Sequence, residues 1–304
     1  MLSNHLVKNS RRLNRKKIIL WVIVALYTAS LPHVILAYQA IVQHFPPPTA
    51  GRIPLGIIAV LAAAYSVICI RRKAALRCSM ILAVSTVIVF LIVNFEENAN
   101  KYIHTPEYII MIWLLYLALA VDYRGSGILL LVFLCALMLG VVDEILQGIH
   151  PQRTYGWKDM IIDAASSFIG ILSVMGLKPS ARKNWTWCRD LKHFKGALGV
   201  FLFGAAASVP MCIHLFDVQN LKSFFNAYPR WLLTGNGFFI AACVAVIIFY
   251  WRRGQGYDKA APEIGQIAPD SHTTARLWIM CPLAILLCMH ALVVWVALTG
   301  INFR

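Results

Sequence analysis

The chain has 304 residues, of which 60% are apolar and only 13% charged, and its mean hydropathy is +0.69. Soluble domains run to about half apolar and about a quarter charged, so this composition argues against a water-soluble globular protein; it is also the opposite of the balance that disorder requires. Lys and Arg number 28 against 13 Asp and Glu, a formal net charge of +15. In so apolar a chain that excess fits basic loops facing an anionic leaflet, and nucleic acid is not an expected partner.

A membrane-spanning helix needs about 20 mostly apolar residues. Nine such runs follow one another, at 18–43, 53–70, 78–95, 103–121, 127–148, 159–177, 197–216, 232–251 and 278–300. The first contains Pro32 and His33, which read as a kink. It is too long for the apolar core of a cleaved signal peptide and lacks a small-x-small cleavage site, so an uncleaved helix is expected. The fourth has Pro106 near its start, and proline is tolerated only in a first turn, so the helix must begin near Ile103 to span. With the N-terminus inside, 21 of the 28 Lys and Arg fall in inside segments and 7 outside, as the positive-inside bias requires. The expected fold is an all-α polytopic membrane protein, a bundle of about nine transmembrane helices with the N-terminus in and the C-terminus out. The inside segment 178–196, with Trp185, Trp187, Lys192 and Lys195, reads as a surface-lying piece against lipid head groups. Residues 252–276 read as a flexible linker. The eight cysteines include no C-x-x-C pair and read as small buried hydrophobes rather than a disulfide or metal framework.

The acids are distributed unevenly. Eight lie at outer helix ends, and seven of those fall between residues 96 and 163. In the stretch 94–108, a continuous helix would align Glu97, Lys101, His104 and Tyr108 on one stripe, with Glu97 and Lys101 as an i,i+4 ion pair and Glu107 flanking His104. Alternatively Thr105-Pro106 opens the helix and His104 sits just outside it. In 141–148, Asp143 and Glu144 lie high in the outer leaflet, with Gln147 within reach of either. The hairpin 150–158 carries Arg153, Tyr155, Trp157 and Lys158. The next helix opens with Asp159 and Asp163, like charges at i,i+4 that need a cation such as Arg153 or Lys101, a metal, or a shared proton. Ser166 and Gly170 then form a small-xxx-small pair that permits close helix packing. Ionisable groups at membrane depth are costly and mark function by default. His290 reads as a buried, hydrogen-bonded imidazole, and His214 and Asp217 as rim residues.

Three pieces of this region resemble the VanZ-like family of small membrane proteins. They are Lys101-Tyr-Ile-His104-Thr-Pro-Glu107-Tyr108, then Asp143-Glu144-Ile-Leu-Gln147, then Pro151-Gln152-Arg153 followed by Asp159-Met-Ile-Ile-Asp163. Their order and spacing carry the likeness, with Gln152 standing where the family turn has glycine. On this likeness the chain divides into two N-terminal helices (1–77), a VanZ-like four-helix core (78–178), a basic aromatic cytoplasmic segment (179–196) and three C-terminal helices (197–304). The resemblance implies a bacterial plasma-membrane protein of the cell envelope, with a role in glycopeptide (teicoplanin-type) resistance or envelope stress.

The expected function is an outer-leaflet polar site for a lipid head group, a lipid-linked cell-wall precursor or a glycopeptide. In an enzymatic version His104, Glu144 and Asp163 are the catalytic candidates. Lys101, Glu107, Tyr108, Asp143, Gln147, Arg153 and Asp159 are the ligand-binding candidates, with Arg153 and Lys101 placed to hold an anionic group. No cofactor is assigned, and whether a metal binds stays open. A proton-coupled transporter and a non-catalytic membrane scaffold are the alternatives.

Overall fold

A computed structural model describes residues 2–123, 125–178, 184–220, 228–260, 271–301 and 303–304. All regular elements among them are helical: α1 (Leu2–Ser30), α2 (Val34–Val42), α3 (Pro47–Ala50), α4 (Ile53–Arg71), α5 (Ala75–Phe95), α6 (His104–Leu119), α7 (Ile128–Ile149), α8 (Trp157–Leu177), α9 (Lys195–Asn220), α10 (Arg230–Ala260) and α11 (Ser271–Thr299). Short 3-10 turns at Leu31–His33, Ala99–Ile103 and Thr186–Phe194 join or precede them. Nine helical segments among the described residues are long and apolar enough to cross a membrane, one for each run in the sequence. The 3-10 turn at Leu31–His33, with Pro32 inside it, provides the bend between α1 and α2. The expected linker 252–276 is shorter than the sequence suggested: α10 runs through Ala260 and α11 starts at Ser271, and 261–270 lies outside the described residues.

The chain forms two compact units. The first comprises 1–121, 127–143 and 156–182; the second comprises 122–126, 144–155 and 183–304. Helix α7 contributes its first part to one and its last turns to the other.

In the first unit the tightest helix pair is α6 with α8. A Cβ placed on Gly170 would lie 2.8 Å from Cβ and Cγ1 of Ile112, so only glycine permits this approach, as the small-xxx-small spacing anticipated. Ser166 one turn earlier donates to Thr105 Oγ1 across the same seam (3.2 Å). Trp113 Nε1 closes the far end on Ser173 Oγ (2.9 Å). Helix α1 packs on α6 through Tyr27, whose hydroxyl donates to the Glu107 carbonyl (2.9 Å).

Helices α4 and α5 reverse direction at Arg72–Ala74. Lys73 adopts φ 55°. Its N–H donates to the Ile70 carbonyl, and that of Ala74 reaches back to Cys69 (both 3.0 Å). This is the paired bond pattern of a Schellman C-cap, a position that normally holds glycine. The turn brings Cys69 and Cys78 together as a disulfide, with Cα atoms 6.2 Å apart. That corrects the reading of all eight cysteines as isolated buried hydrophobes. The pairing depends on a helix reversal without Gly or Pro, so no local signal announced it.

The second unit is built around aromatic stacking. Trp187 lies parallel to Trp278 (ring centroids 4.9 Å apart, 10° between planes) and donates from Nε1 to the Ser126 carbonyl (2.9 Å). Trp278 donates to the Tyr123 hydroxyl (2.8 Å), and burial pushes that phenol up to about 12, so it stays protonated. Of segment 178–196, residues 179–183 lie outside the described residues. Trp187 and Phe194 are buried anchors in this unit's core, and only Trp185 of the two tryptophans is half exposed. His290 is buried between Asn236 (2.5 Å from Nδ1) and Ser208 (3.2 Å from Nε2).

Two glycines and one lysine test these packing arguments. Gly170→Ala should lower stability by about 1–3 kcal/mol through overpacking against Ile112. Gly56→Ala, where a Cβ meets open space, should be neutral or raise stability by up to about 1 kcal/mol through helix propensity. Lys73→Gly should raise stability by about 0.5–1 kcal/mol, because glycine adopts positive φ without the steric cost. Thermal unfolding in a single detergent reads all three.

Candidate functional site

The polar site of the first unit is assembled where the chain passes from α5 into α6. Helix α5 ends at Phe95, and residues 96–98 are extended before the 3-10 turn at Ala99–Ile103. The break removes the expected stripe. Glu97 is exposed, and Lys101 pairs instead with Asp159 at 2.7 Å and Glu96 at 3.8 Å. Glu96 is itself fixed, accepting from the Asn98 N–H (3.0 Å), while its carbonyl accepts the Tyr102 hydroxyl (2.9 Å). Sequence spacing missed Glu96 because an i,i+4 argument assumes an unbroken helix. Asp159 lies in the first turn of α8, where the macrodipole favours an acid.

His104 is the first residue of α6, so the helix begins two residues before Pro106. Proline thus falls within the first turn, where its missing N–H costs no bond. This start turns His104 inward to 1% exposure. Its Nδ1 lies 3.0 Å from Asp163 Oδ1 and 3.8 Å from Glu107 Oε2. Asp163 is 2% exposed and sits one turn along α8 from Asp159. The two like-charged acids are therefore served by different partners, Lys101 for Asp159 and His104 for Asp163. Tyr108 lies one turn after His104, its ring partly stacked on the imidazole (centroids 6.5 Å apart, 28° between planes). Its hydroxyl donates to Asp143 Oδ2 (3.2 Å). Gly140 on α7 brings that helix close: a Cβ there would stand 3.5 Å from both Asp163 Oδ2 and the Tyr108 hydroxyl.

Seven of the ten residues singled out from the sequence thus belong to one unit and one run of contacts: Lys101, His104, Glu107, Tyr108, Asp143, Asp159 and Asp163. Thr105, Ser166 and Tyr27 join them at the second layer, and the last had no sequence signal because its contact spans 80 positions. Glu144, Gln147 and Arg153 belong to the second unit. Glu144 is fully buried on α7. Gln147 accepts from Arg153 through Nε (2.9 Å) and Nη2, a pairing that the spacing argument, which offered Gln147 to the neighbouring acids, did not anticipate. Within that unit Tyr155 is buried against Phe216 and Phe303, and burial pushes its phenol well above the usual range. Its N–H donates to the Arg304 carbonyl (2.7 Å), and the Arg304 N–H to Gly148 (2.8 Å).

Chemically, an imidazole beside a buried carboxylate is the pairing used by acid/base and metal-ligating sites. The second carboxylate, Asp143, is oriented by a phenol. Both are buried within the helices of the first unit, where electrostatic interactions are stronger than in water. Comparison with family models, with curated proteins and with solved structures yields no match to this chain.

The Lys101–Asp159 contact has a checkable energetic role. Lys101→Met strands a carboxylate whose side chain is 4% exposed. The loss should be about 1–3 kcal/mol, below the full cost of a buried pair because Lys101 is partly open to solvent. Adding Asp159→Asn to Lys101→Met should recover most of that loss. A double-mutant cycle on thermal unfolding measures the coupling directly.

Proposed function

We propose that the chain is a VanZ-like multi-pass protein of the bacterial plasma membrane, with its N-terminus in and its C-terminus out. In this reading the His104–Asp163 pocket takes the head group of a lipid or lipid-linked cell-wall precursor in the outer leaflet. The observation that carries the reading is the contact between two side chains, each at most 2% exposed, at 3.0 Å inside an apolar helix bundle. Burying ionisable groups at such depth is costly and is tolerated chiefly where they act on a ligand or proton. The basic-residue distribution supports the orientation. Asp143 lies 15 residues beyond the start of α7, or about 22 Å along its axis, and in that orientation this distance supports an outer-leaflet site in a core about 30 Å thick. The order and spacing of the three VanZ-like pieces support an envelope role, including glycopeptide resistance. Lys101 is engaged by Asp159 and Glu96, so the group that meets the ligand is the His104, Asp143 and Asp163 cluster.

One observation favours proton-coupled transport as a second reading. His104, Asp163, Tyr108 and Asp143 form a short chain of protonatable groups. These groups cluster at one end of α6 and α8 and do not extend along them. A carrier predicts substrate- or pH-driven flux in proteoliposomes, and the head-group reading predicts none.

The decisive experiment expresses the parent, His104→Gln and Asp163→Asn in a teicoplanin-susceptible host at matched membrane abundance. The parent should raise the inhibitory concentration of teicoplanin, and both variants should return it to the host level. A phenotype that survives both substitutions would sink the proposed site.

A further inference from the structure

We infer that the pocket holds a divalent transition-metal ion on His104, Asp143 and Asp163, an inference that rests on the site reading above and specifies how it meets its ligand. A ring nitrogen of His104 and one carboxylate oxygen each from Asp143 and Asp163 all lie within 4.8 Å of one another. All three side chains are buried, none more than 2% exposed. Nitrogen and carboxylate ligands bind such ions at about 2.0–2.2 Å, so donors on one ion stand about 3–4.4 Å apart. The 4.8 Å ceiling on the donor separations stands close to that range. Each donor comes from a different helix, α6, α7 and α8, and rigid elements are what hold a coordination geometry.

The chemistry of the donors narrows the ion. One imidazole with two carboxylates suits Zn²⁺, Mn²⁺ or Fe²⁺ and is a poor match for Mg²⁺ or Ca²⁺, which take oxygen alone. The outer layer is that of a metal centre as well. The Tyr108 hydroxyl orients Asp143 at 3.2 Å, the kind of supporting contact that fixes a ligating carboxylate. Three protein ligands leave at least one position open. That opening lets an acid-rich pocket accept an anionic head group, through a phosphate or hydroxyl oxygen on the ion.

The test uses the full-length protein purified in detergent without chelator. Elemental analysis should find about one zinc, manganese or iron per chain. After stripping with EDTA, titration with ZnCl₂ or MnCl₂ should show one saturable site and raise the thermal midpoint. His104→Gln and Asp163→Asn should weaken that affinity more than about tenfold, while Glu97→Gln, an exposed acid at the rim, should bind as the parent does. Should the two ligand variants not fold, Tyr108→Phe carries the comparison, removing only the hydroxyl on Asp143 and weakening binding about 10–100-fold. A stripped parent that binds neither ion, or affinity unchanged in the ligand and Tyr108 variants, overturns the inference. A metal-free parent that still confers the His104-dependent phenotype removes the ion alone and leaves the head-group site standing. A bound ion with no His104-dependent phenotype does the reverse.

Discussion

The contact between His104 and Asp163 is the constraint around which the first unit is organised. It requires α6 and α8 to approach closely at one end, and Gly170 against Ile112 supplies that approach. It also requires α6 to begin at His104, which in turn requires α5 to stop at Phe95 and the chain to cross in an extended stretch and a 3-10 turn. The same crossing delivers Lys101 to Asp159. Asp159 then meets Lys101 and Asp163, one helical turn on, meets His104, so the local backbone path and the electrostatics are mutually dependent.

Much of this was legible in the sequence because membrane spans obey a length rule and an apolarity rule. The nine runs match nine helical segments within a few residues at most ends, the largest difference being the seventh, which begins at Thr186 once the 3-10 turn is included. The acid concentration between 96 and 163 also pointed to seven residues that the first unit brings together. What spacing could not deliver was partner choice. Glu97 was read as the mate of Lys101 on the premise of a continuous helix, and the break at 96–98 hands that role to Glu96 and Asp159. Gln147 accepts from Arg153, because a hairpin brings residue 153 back over the helix end. Both contacts come from tertiary geometry acting across a bend, which local periodicity does not encode.

The second unit solves a different problem. Its cohesion comes from flat aromatic contacts and from hydrogen bonds to the indoles of Trp187 and Trp278. Trp187 finds Ser126 and Trp278 finds Tyr123, so large apolar area is gained without an orphaned donor. An aromatic-basic sequence such as 185–195 resembles a lipid-surface segment, because both uses draw on the same residues. The outcome is decided by whether a neighbouring helix offers a ring to stack on, and here Trp278 on α11 does.

The Cys69–Cys78 bond ties α4 to α5 across a loop that also carries Arg71, Arg72, Lys73 and Arg77. These two features pull in opposite directions. Basic clusters are retained on the cytoplasmic side, whereas disulfides persist on the oxidising side and are kept as thiols in the cytosol. A single short turn therefore carries two independent addresses. Its sulfur chemistry acts as an internal compass: two thiols signify a loop facing the cell interior, and a persistent bond signifies one facing outward, with every later helix end reversed accordingly.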